Sequence, residues 1–523
     1  MKIVIPMSGM SSRFSAAGYT IPKYLIELNG KKVIEHIVNL FSKEDEFIFI
    51  INQKHKEETD IENILKSICK NSTVVSLPCH KNGPVFSVNQ FDVLIDDEEP
   101  VIINYCDFSM GWNYQDFLKF VKITDCDGSV VCYKGFHPHM LGSDNYAFCK
   151  TDYKGNVVEI REKQPFTDNK MNEYASSGTY YFKKGEYVKK YFKELIDEDH
   201  NINGEYYVSL VYNLLIKHLL RVNVYEVPYM LQWGTPFDVY TYQKWSGYYE
   251  KTLNWQKRIR LENTVTVLPM AGAGSRFSKE GYDIPKPFIE LNGDYMVNQA
   301  IKCLPLTDEV VYGRLKTHTE HVLDGTTVWI DEVLPGQAHT TSRILEEVDK
   351  DKSILISACD NGVLYDEEKL KELIEDKNND IIIWSYRNNP TSFHNPQMYS
   401  WLDVDENQDV SKVNVKNFTK ENPLDEYAIV GTMFFRNKEI YNVSFNELIK
   451  SNEKVNNEFY VDSLINQAIK LGYKVKNFEV DEYICWGTPN DLKTYLYWQQ
   501  FFNGVQWHPY EYNKDFFTNT ILE

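Results

Sequence analysis

The chain has 523 residues, room for about two to four domains of ordinary size, and its 43% apolar content suffices for a substantial core. A formal net charge of −19, from 56 basic against 75 acidic side chains, argues against duplex nucleic acid or an anionic membrane as partner, since either wants a basic face. No run approaches the ~18 apolar residues of a membrane span. The nine cysteines show no Cys-x-x-Cys pair, so they read as reduced thiols packed as small hydrophobes. The first residues, Met1-Lys-Ile-Val-Ile-Pro6, read as strand and loop and not as a leader, which sets the expectation of a cytoplasmic chain.

Ile3-Val-Ile5 predicts a strand, and Pro6-Met-Ser-Gly-Met-Ser-Ser-Arg-Phe14 behind it reads as a glycine-containing turn entering a helix, with Lys23 nine residues further on. Short uninterrupted apolar runs follow, at Phe47–Ile51, Val74–Leu77 and Val101–Ile103, with a helical pattern from Ile61 to Cys69 between them. The run after Ile102 ends on Cys106-Asp107. Lys163 stands in Arg161-Glu-Lys-Gln-Pro165, Gly178-Thr179 in a longer apolar run, and Trp233-Gly-Thr-Pro236 opens an aromatic helix, Tyr240 to Trp255. After the basic Lys257-Arg-Ile-Arg260 a new strand begins at Thr264, and the series starts again.

The second series keeps the spacing of the first. Asp107 and Asp360, Lys163 and Lys416, Gly178 and Gly431, and Trp233 and Trp486 all differ by 253, whereas Arg13 and Arg276 differ by 263. A shared offset over four motifs means duplication of a whole domain, not a solenoid with a repeat of ~20–50 residues. The ten extra residues of the first copy fall between its loop and its Asp. Short buried strands alternating with helices predict an α/β architecture of two tandem Rossmann-like domains, 1–257 and 258–523. Each is expected to hold a mostly parallel mixed sheet with helices on both faces, and ligands bind beyond the carboxyl ends of such strands. Duplication can also replace a homodimer with an internal pseudo-dimer.

Backbone N–H groups of a glycine turn can cradle phosphate, and Arg and Lys add charge-assisted bonds to it. One such turn is weak as a signal, but the same spacing to Arg and Lys in both copies is strong. An Asp at a strand end suits Mg²⁺, which wants carboxylate and phosphate oxygens together; the plain alternative is a helix N-cap. Lys163 and Lys416 taken singly would be solvated surface lysines. Trp-Gly-Thr-Pro reads as a turn with Thr capping the next helix and Pro at its first position, or as a ligand contact. His137-Pro-His139, found only in the first copy, could bind metal or an acceptor, or be polar surface.

Together these residues resemble the sugar-phosphate nucleotidyltransferases, whose signature is a G-x-G-[ST]-R loop followed by Pro-Lys, a strand-end Asp, a Glu-Lys-Pro-like element and a closing Gly-Thr-Pro turn. The resemblance covers nearly the whole chain, twice. It is nearest to the branch containing cytidylyltransferases that activate capsule and lipopolysaccharide precursors, phosphoglutamine among them. It implies attack of an acceptor phosphate on the α-phosphate of an NTP, CTP favoured, with loss of pyrophosphate. It further implies that Gly9, Ser11, Gly272 and Gly274 cradle the NTP phosphates, with Met7, Ser8, Ser12, Ala271 and Ser275 in the same loops. Arg13 and Arg276 would hold the leaving phosphates, Lys23 and Lys286 neutralise charge at the α-phosphate, and Asp107 and Asp360 bind Mg²⁺. Gly83 and Gly336 would face the base. Lys163 and Lys416 would hold the acceptor phosphate, with Glu162, Gly178, Glu205, Gly431 and Glu458 around the rest of that phosphorylated small molecule.

The departures from the family pattern are specific. Ser11 stands for a loop Gly and Tyr24 for the Pro of Pro-Lys-Pro; the second copy has Gly274 and Pro287. Arg161-Glu162 becomes Asn414-Val415, and Trp233 and Trp486 occupy a position where the family often has a second metal-binding Asp. Three alternatives remain at this stage: one active domain beside a structural or regulatory one, a glycosyltransferase of related fold, and a non-catalytic nucleotide-binding scaffold. The glycosyltransferase would want Asp-x-Asp at the strand end, and the chain has Cys-Asp-Phe-Ser and Cys-Asp-Asn-Gly there.

Overall fold

The computed structural model describes residues 1–255 and 258–518. These divide into two compact units, Met1–Gln243 with Gly504–His508, and Lys244–Asn503 with the described residues from Pro509 onward. The boundary expected between 257 and 258 falls at Gln256 and Lys257, which, like residues 519–523, lie outside the described residues.

The first unit is built on a nine-stranded sheet. Its strands are β1 (Lys2–Met7), β2 (Glu46–Asn52), β3 (Ser72–Leu77), β4 (Val101–Asn104), β5 (Gly128–Tyr133), β6 (Ala147–Thr151), β7 (Val157–Glu162), β8 (Tyr174–Phe182) and β9 (Val222–Glu226). The main path runs β7-β6-β8-β4-β1-β2-β3, with β5 paired to β8 and β9 to β5. β1 is parallel to both β2 and β4, and β2 to β3. The long strand β8 runs antiparallel to β4, β5 and β6. The sheet is therefore mixed, with its parallel half carrying the glycine loop. Side chains on a strand alternate between faces, and both sets are buried here: Val4, Ile48 and Ile50 on one side, Ile3, Ile5, Phe47 and Phe49 on the other. Burial on both faces is why these strands read as continuous apolar runs.

The second unit repeats the sheet with β10 (Thr264–Pro269), β11 (Glu309–Leu315), β12 (Thr326–Ile330), β13 (Ser353–Ile356), β14 (Ile381–Tyr386), β15 (Trp401–Val404), β16 (Val410–Asn414), β17 (Tyr427–Phe435) and β18 (Val475–Glu479). Its path is β12-β11-β10-β13-β17-β14-β18, with β15 on β17 and β16 on β15. The ten-residue difference between the copies lies between β2 and β3. Helices Gln53–Glu58 and Ile61–Ile68 fill that connection, and the second unit has only a short turn, Lys316–His318. In each unit a short antiparallel ribbon returns the Trp-Gly-Thr-Pro turn to the strand-end Asp: Phe108–Gly111 with Tyr229–Gln232, and Asn361–Leu364 with Glu482–Cys485.

Candidate active site

β1 delivers the loop and β4 delivers Asp107 to the same edge of the sheet, because the two strands are parallel neighbours. The loop is held from below by Asn52 at the end of β2, whose side-chain amide donates to the Ser8 carbonyl at 2.8 Å. Ser11 and Gly274 both occupy the left-handed region, at φ 53° and 59°. Glycine is the unstrained choice there. Ser11 accepts that strain and gains a contact, since the Lys23 backbone N–H donates to its hydroxyl at 3.3 Å. Tyr24 is buried, and its hydroxyl pairs with His55 Nδ1 at 2.6 Å.

Lys23 Nζ meets Asp107 Oδ2 at 2.7 Å, and Lys286 Nζ meets Asp360 Oδ2 at 2.6 Å. Burial works to lower the Lys23 pKa, but the Asp107 charge outweighs it and the ammonium is held above its ordinary range. Lys286 is shifted the same way for the same reasons. The Trp-Gly-Thr-Pro turn locks onto this pair: the Trp233 N–H donates to the Asp107 carbonyl at 2.9 Å, and the Trp486 N–H to that of Asp360 at 2.8 Å. A Cβ on Gly487 would fall 2.8 Å from Asp360 Oδ2, which explains the glycine. Thr235 and Asp238 cap the following helix reciprocally, with Asp238 N–H donating to Thr235 Oγ1 at 3.2 Å and that hydroxyl donating to Asp238 Oδ2 at 2.6 Å. Trp233 and Trp486 themselves are core residues, each at most 1% exposed.

In the first unit two cavities meet over the Lys23–Asp107 pair. One, of about 440 Å³, is lined by Gly9, Ser11, Ser12, Arg13, Glu162, Lys163, Gly178 and Glu205. The other, of about 720 Å³, is lined by Met7, Ser8, Gly9, Gly83 and Pro84. Lys23, Asp107, Glu205 and Tyr207 line both. Lys163, expected from the repeat and the resemblance to hold the acceptor phosphate, lines the smaller cavity; it sits in the left-handed region at φ 58°, as Lys416 does at φ 51°, and its ammonium donates to the Tyr207 hydroxyl at 2.5 Å. Tyr207 in turn donates to Glu205. Gly83 and Gly336, expected to face the base, have a tighter duty. A Cβ on Gly83 would lie 2.8 Å from the Tyr206 backbone, and on Gly336 2.5 Å from that of Phe459. These glycines let the segments carrying Glu205 and Glu458 close on the loop side.

In the larger cavity Ser8, expected in the loop, meets two residues that the sequence does not single out, Ser87 and His80. The Ser8 and Ser87 hydroxyls are 2.8 Å apart, and His80 Nε2 lies 3.2 Å and 3.0 Å from them. The Asn82 N–H donates to His80 Nδ1, so the neutral ring carries its proton on Nε2 and turns it toward the serines. Burial lowers the His80 pKa and favours that neutral form. The 263 and 253 offsets put Ala271, Val333 and Thr340 at these places in the second unit. Its remaining residues repeat the backbone: Ala271 is buried, Gly272, Ser275 and Arg276 are exposed, Gly431 keeps a left-handed φ of 97°, and Glu458 is exposed. His137 and His139 are not polar surface. His137 is 2% exposed against the Tyr133 ring, and burial drives its pKa down to about 4.

The family model described as "Nucleotidyl transferase" matches residues 2–207. No curated protein matches the chain. Among solved structures, a nucleoside-diphosphate-sugar pyrophosphorylase from Vibrio cholerae RC9 is 24% identical over 46% of this chain and 99% of its own, with a TM-score of 0.40. An inositol-1-phosphate CTP transferase from T. maritima is 20% identical over 48% of this chain and 99% of its own, with a TM-score of 0.37. An apo UDP-glucose pyrophosphorylase is 17% identical over 48% and 98%, with a TM-score of 0.38. The nucleotidyl transferase match thus falls on the loop, Lys23, Asp107, Glu162–Lys163 and Glu205 of the first unit.

Among the described residues no three His, Cys, Asp or Glu side chains gather as a ready metal site, and no helix is long and apolar enough to cross a membrane. The donor set nevertheless fits Mg²⁺ bound jointly with a polyphosphate. Asp107 offers a hard carboxylate at the junction of the two cavities, and phosphate oxygens and water would complete the shell. Glu162 shows how burial tunes the smaller cavity. Burial raises its carboxyl to about 7, against the pull of the Ser209 hydroxyl and Lys163. A carboxyl raised on folding stabilises the native state below its unfolded value, and loses that contribution as pH rises through its folded value. Wild type should therefore lose stability relative to Glu162→Gln as pH rises from about 4.5 to about 7, and no further above it. Urea unfolding of both proteins across that range tests this; a pH-independent difference would contradict the raised value.

Proposed function

We propose that the chain is a nucleotidyltransferase that moves a nucleoside monophosphate, CMP favoured, from an NTP to a phosphorylated small molecule and releases pyrophosphate. The observation that carries this reading is the meeting of the loop, the Lys23–Asp107 pair and Lys163 around one continuous groove in the first unit. The match of residues 2–207 to the nucleotidyl transferase model supports it. CTP, and a role in making surface-polysaccharide precursors, follow from the sequence resemblance.

In this reading the larger cavity takes the nucleoside and the smaller one the acceptor. The turn at Gly9–Ser12 and the Arg13 guanidinium hold the β- and γ-phosphates. An oxygen of the acceptor phosphate, held by Lys163, attacks the α-phosphorus. The bond from that phosphorus to the α,β-bridging oxygen breaks, and pyrophosphate leaves with the oxygen and its electron pair. Lys23 lies where charge on the α-phosphate rises, and its raised pKa keeps it cationic. Asp107 would hold Mg²⁺, which when bound would supply further charge neutralisation. The protein's own work is positioning and electrostatics, the usual source of rate in such transfers. The second unit is included because Lys286 and Asp360 repeat the Lys23–Asp107 pair.

Pyrophosphate release from CTP, UTP, GTP, ATP and dTTP, with Mg²⁺ and a panel of sugar, polyol and amide phosphates, tests this. Release is expected with CTP and at least one acceptor. No release with any pair, together with no NTP binding by calorimetry, would overturn it.

A further inference from the structure

The larger cavity of the first unit holds a polar cluster that the transfer step does not use. Ser8, Ser87 and His80 line it together. Asn52 fixes the Ser8 backbone by donating to its carbonyl at 2.8 Å. Ser87 stands on the helix Gly83–Asn89 and is 1% exposed. The His80 ring packs on Phe86, 4.9 Å between ring centroids.

The protons of this cluster have a preferred direction. The Asn82 N–H occupies His80 Nδ1 at 3.2 Å, so Nε2 carries the ring's proton and can only donate. The ring therefore cannot serve as a base for Ser8, and it offers neither hydroxyl an acceptor. Its Nε2–H lies 3.2 Å from Ser8 Oγ and 3.0 Å from Ser87 Oγ. The Ser87 hydroxyl donates to the Gly83 carbonyl at 3.2 Å. The Ser8 hydroxyl can then donate to Ser87 Oγ at 2.8 Å. With every proton spent inside the cluster, what Ser8 has left for the cavity is a lone pair. To offer a proton instead, Ser8 must take the Ser87 proton, and the bond from Ser87 to the Gly83 carbonyl is lost.

We propose that Ser8 reads the base of the nucleotide as a hydrogen-bond acceptor, and so takes a base with an exocyclic amino group, cytosine in the favoured nucleotide, over one with an oxo group in its place, as in uracil. His80 and Ser87 are the positioning residues that set the Ser8 proton. This rests on the reading in which the larger cavity takes the nucleoside. Cytosine presents a donor at its 4-amino group where uracil presents an acceptor oxygen. An amino N–H adds a bond to a cluster whose own bonds are all kept. An oxo group gains a bond only by breaking the one from Ser87 to Gly83, or stays unpaired against the Ser8 lone pair. The difference is one hydrogen bond. Adenine carries the same group on a larger ring, so the cluster sets amino against oxo and not pyrimidine against purine. With Ala271 and Val333 in place of Ser8 and His80, the second unit lacks this device.

The test reads nucleotide binding by calorimetry with Mg²⁺ present, so it needs no acceptor. The full chain carries Lys286→Ala and Asp360→Ala, which strip the second unit of its cation–carboxylate pair and leave the first to report. The probes are CTP, UTP and pyrimidin-2-one riboside triphosphate, which keeps the ring nitrogen and 2-oxo group of cytosine and lacks only the amino group. CTP should bind about five- to tenfold tighter than either of the others. Ser8→Ala, which installs the residue the second unit carries there, should erase both preferences. Ser87→Ala removes the acceptor of the Ser8 proton and turns that proton to the cavity, so UTP should gain on CTP by roughly tenfold. A cluster with a merely structural role would lower all three affinities together and leave their ratios alone. Should Ser87→Ala fail to fold, Ser8→Ala decides by itself. Equal binding of CTP and the pyrimidin-2-one nucleotide, or ratios unmoved by Ser8→Ala, would overturn the proposal and leave the transferase reading standing. If none of the triphosphates binds, that reading fails and the proposal falls with it.

Discussion

Asp107→Ala is expected to slow pyrophosphate release by the first unit by about 10²–10³-fold, the usual effect of removing one preorganised polar group from a transfer site. The Asp107 carboxylate lies where the two cavities meet, 2.7 Å from Lys23 Nζ. Two effects act together. The hard oxygen that would share Mg²⁺ with the triphosphate is lost, and so is the charge that keeps Lys23 cationic against burial. The fold should survive, because the bond that ties this strand end to the Trp233 turn uses the Asp107 backbone carbonyl and not its side chain. Asp107→Asn keeps the shape and removes the charge, so it should be nearly as slow. Initial rates with CTP and an accepted phosphate, in an Asp360→Ala background that silences the other unit, give the number. Unchanged turnover would remove Asp107 from the chemistry.

The repeat made much of this site readable in the sequence. A single glycine turn, Asp or Lys has an ordinary structural explanation, but Arg13, Lys23, Asp107 and Lys163 recur with Arg276, Lys286, Asp360 and Lys416 at two fixed offsets. The alternation of apolar runs and helices was enough for the layered architecture, because strands buried on both faces need uninterrupted apolar residues. The long antiparallel strand β8 looked no different, since burial hides strand direction. What escaped notice depends on approach in space. His80, Ser87 and Tyr207 come from separate elements and meet Ser8 and Lys163 only once the sheet is formed. Thr235 and Asp238 did leave a signal, for Thr488 and Asp491 repeat them at 253 and repeat their capping bonds. The change of Glu162 to Val415 is legible in the repeat, but its partner Ser209 left no signal, because the two belong to a strand and a helix far apart in the chain. The left-handed backbone of Ser11 and Lys163 was equally silent, since neither residue type announces it.

Trp233→Ala should destabilise the first unit by about 3–5 kcal/mol, the range for deleting a large buried aromatic side chain. Trp233 is 1% exposed and packs edge-on against His36 at 5.4 Å and Tyr242 at 5.3 Å between ring centroids. His36 is itself fixed by its Nε2 bond to the Leu28 carbonyl, and the Tyr242 hydroxyl donates to Asn29. The indole N–H of Trp233 has no hydrogen-bond partner among the described residues, so its contribution is packing alone. Trp233→Phe, which keeps most of the contact area and forfeits no hydrogen bond, should therefore lose much less. The same indole roofs the turn whose N–H holds the Asp107 carbonyl, so the alanine variant should lose activity as well as stability. Urea unfolding followed by signals specific to each unit separates these effects, and only the first unit's transition should move, since Trp486 serves the second. A stable Trp233→Ala protein that fails only in turnover would instead mark the indole as a ligand contact. Its burial argues otherwise: a side chain closed off on every face can hold the strand end that carries Asp107 in place, but it offers no surface to a ligand.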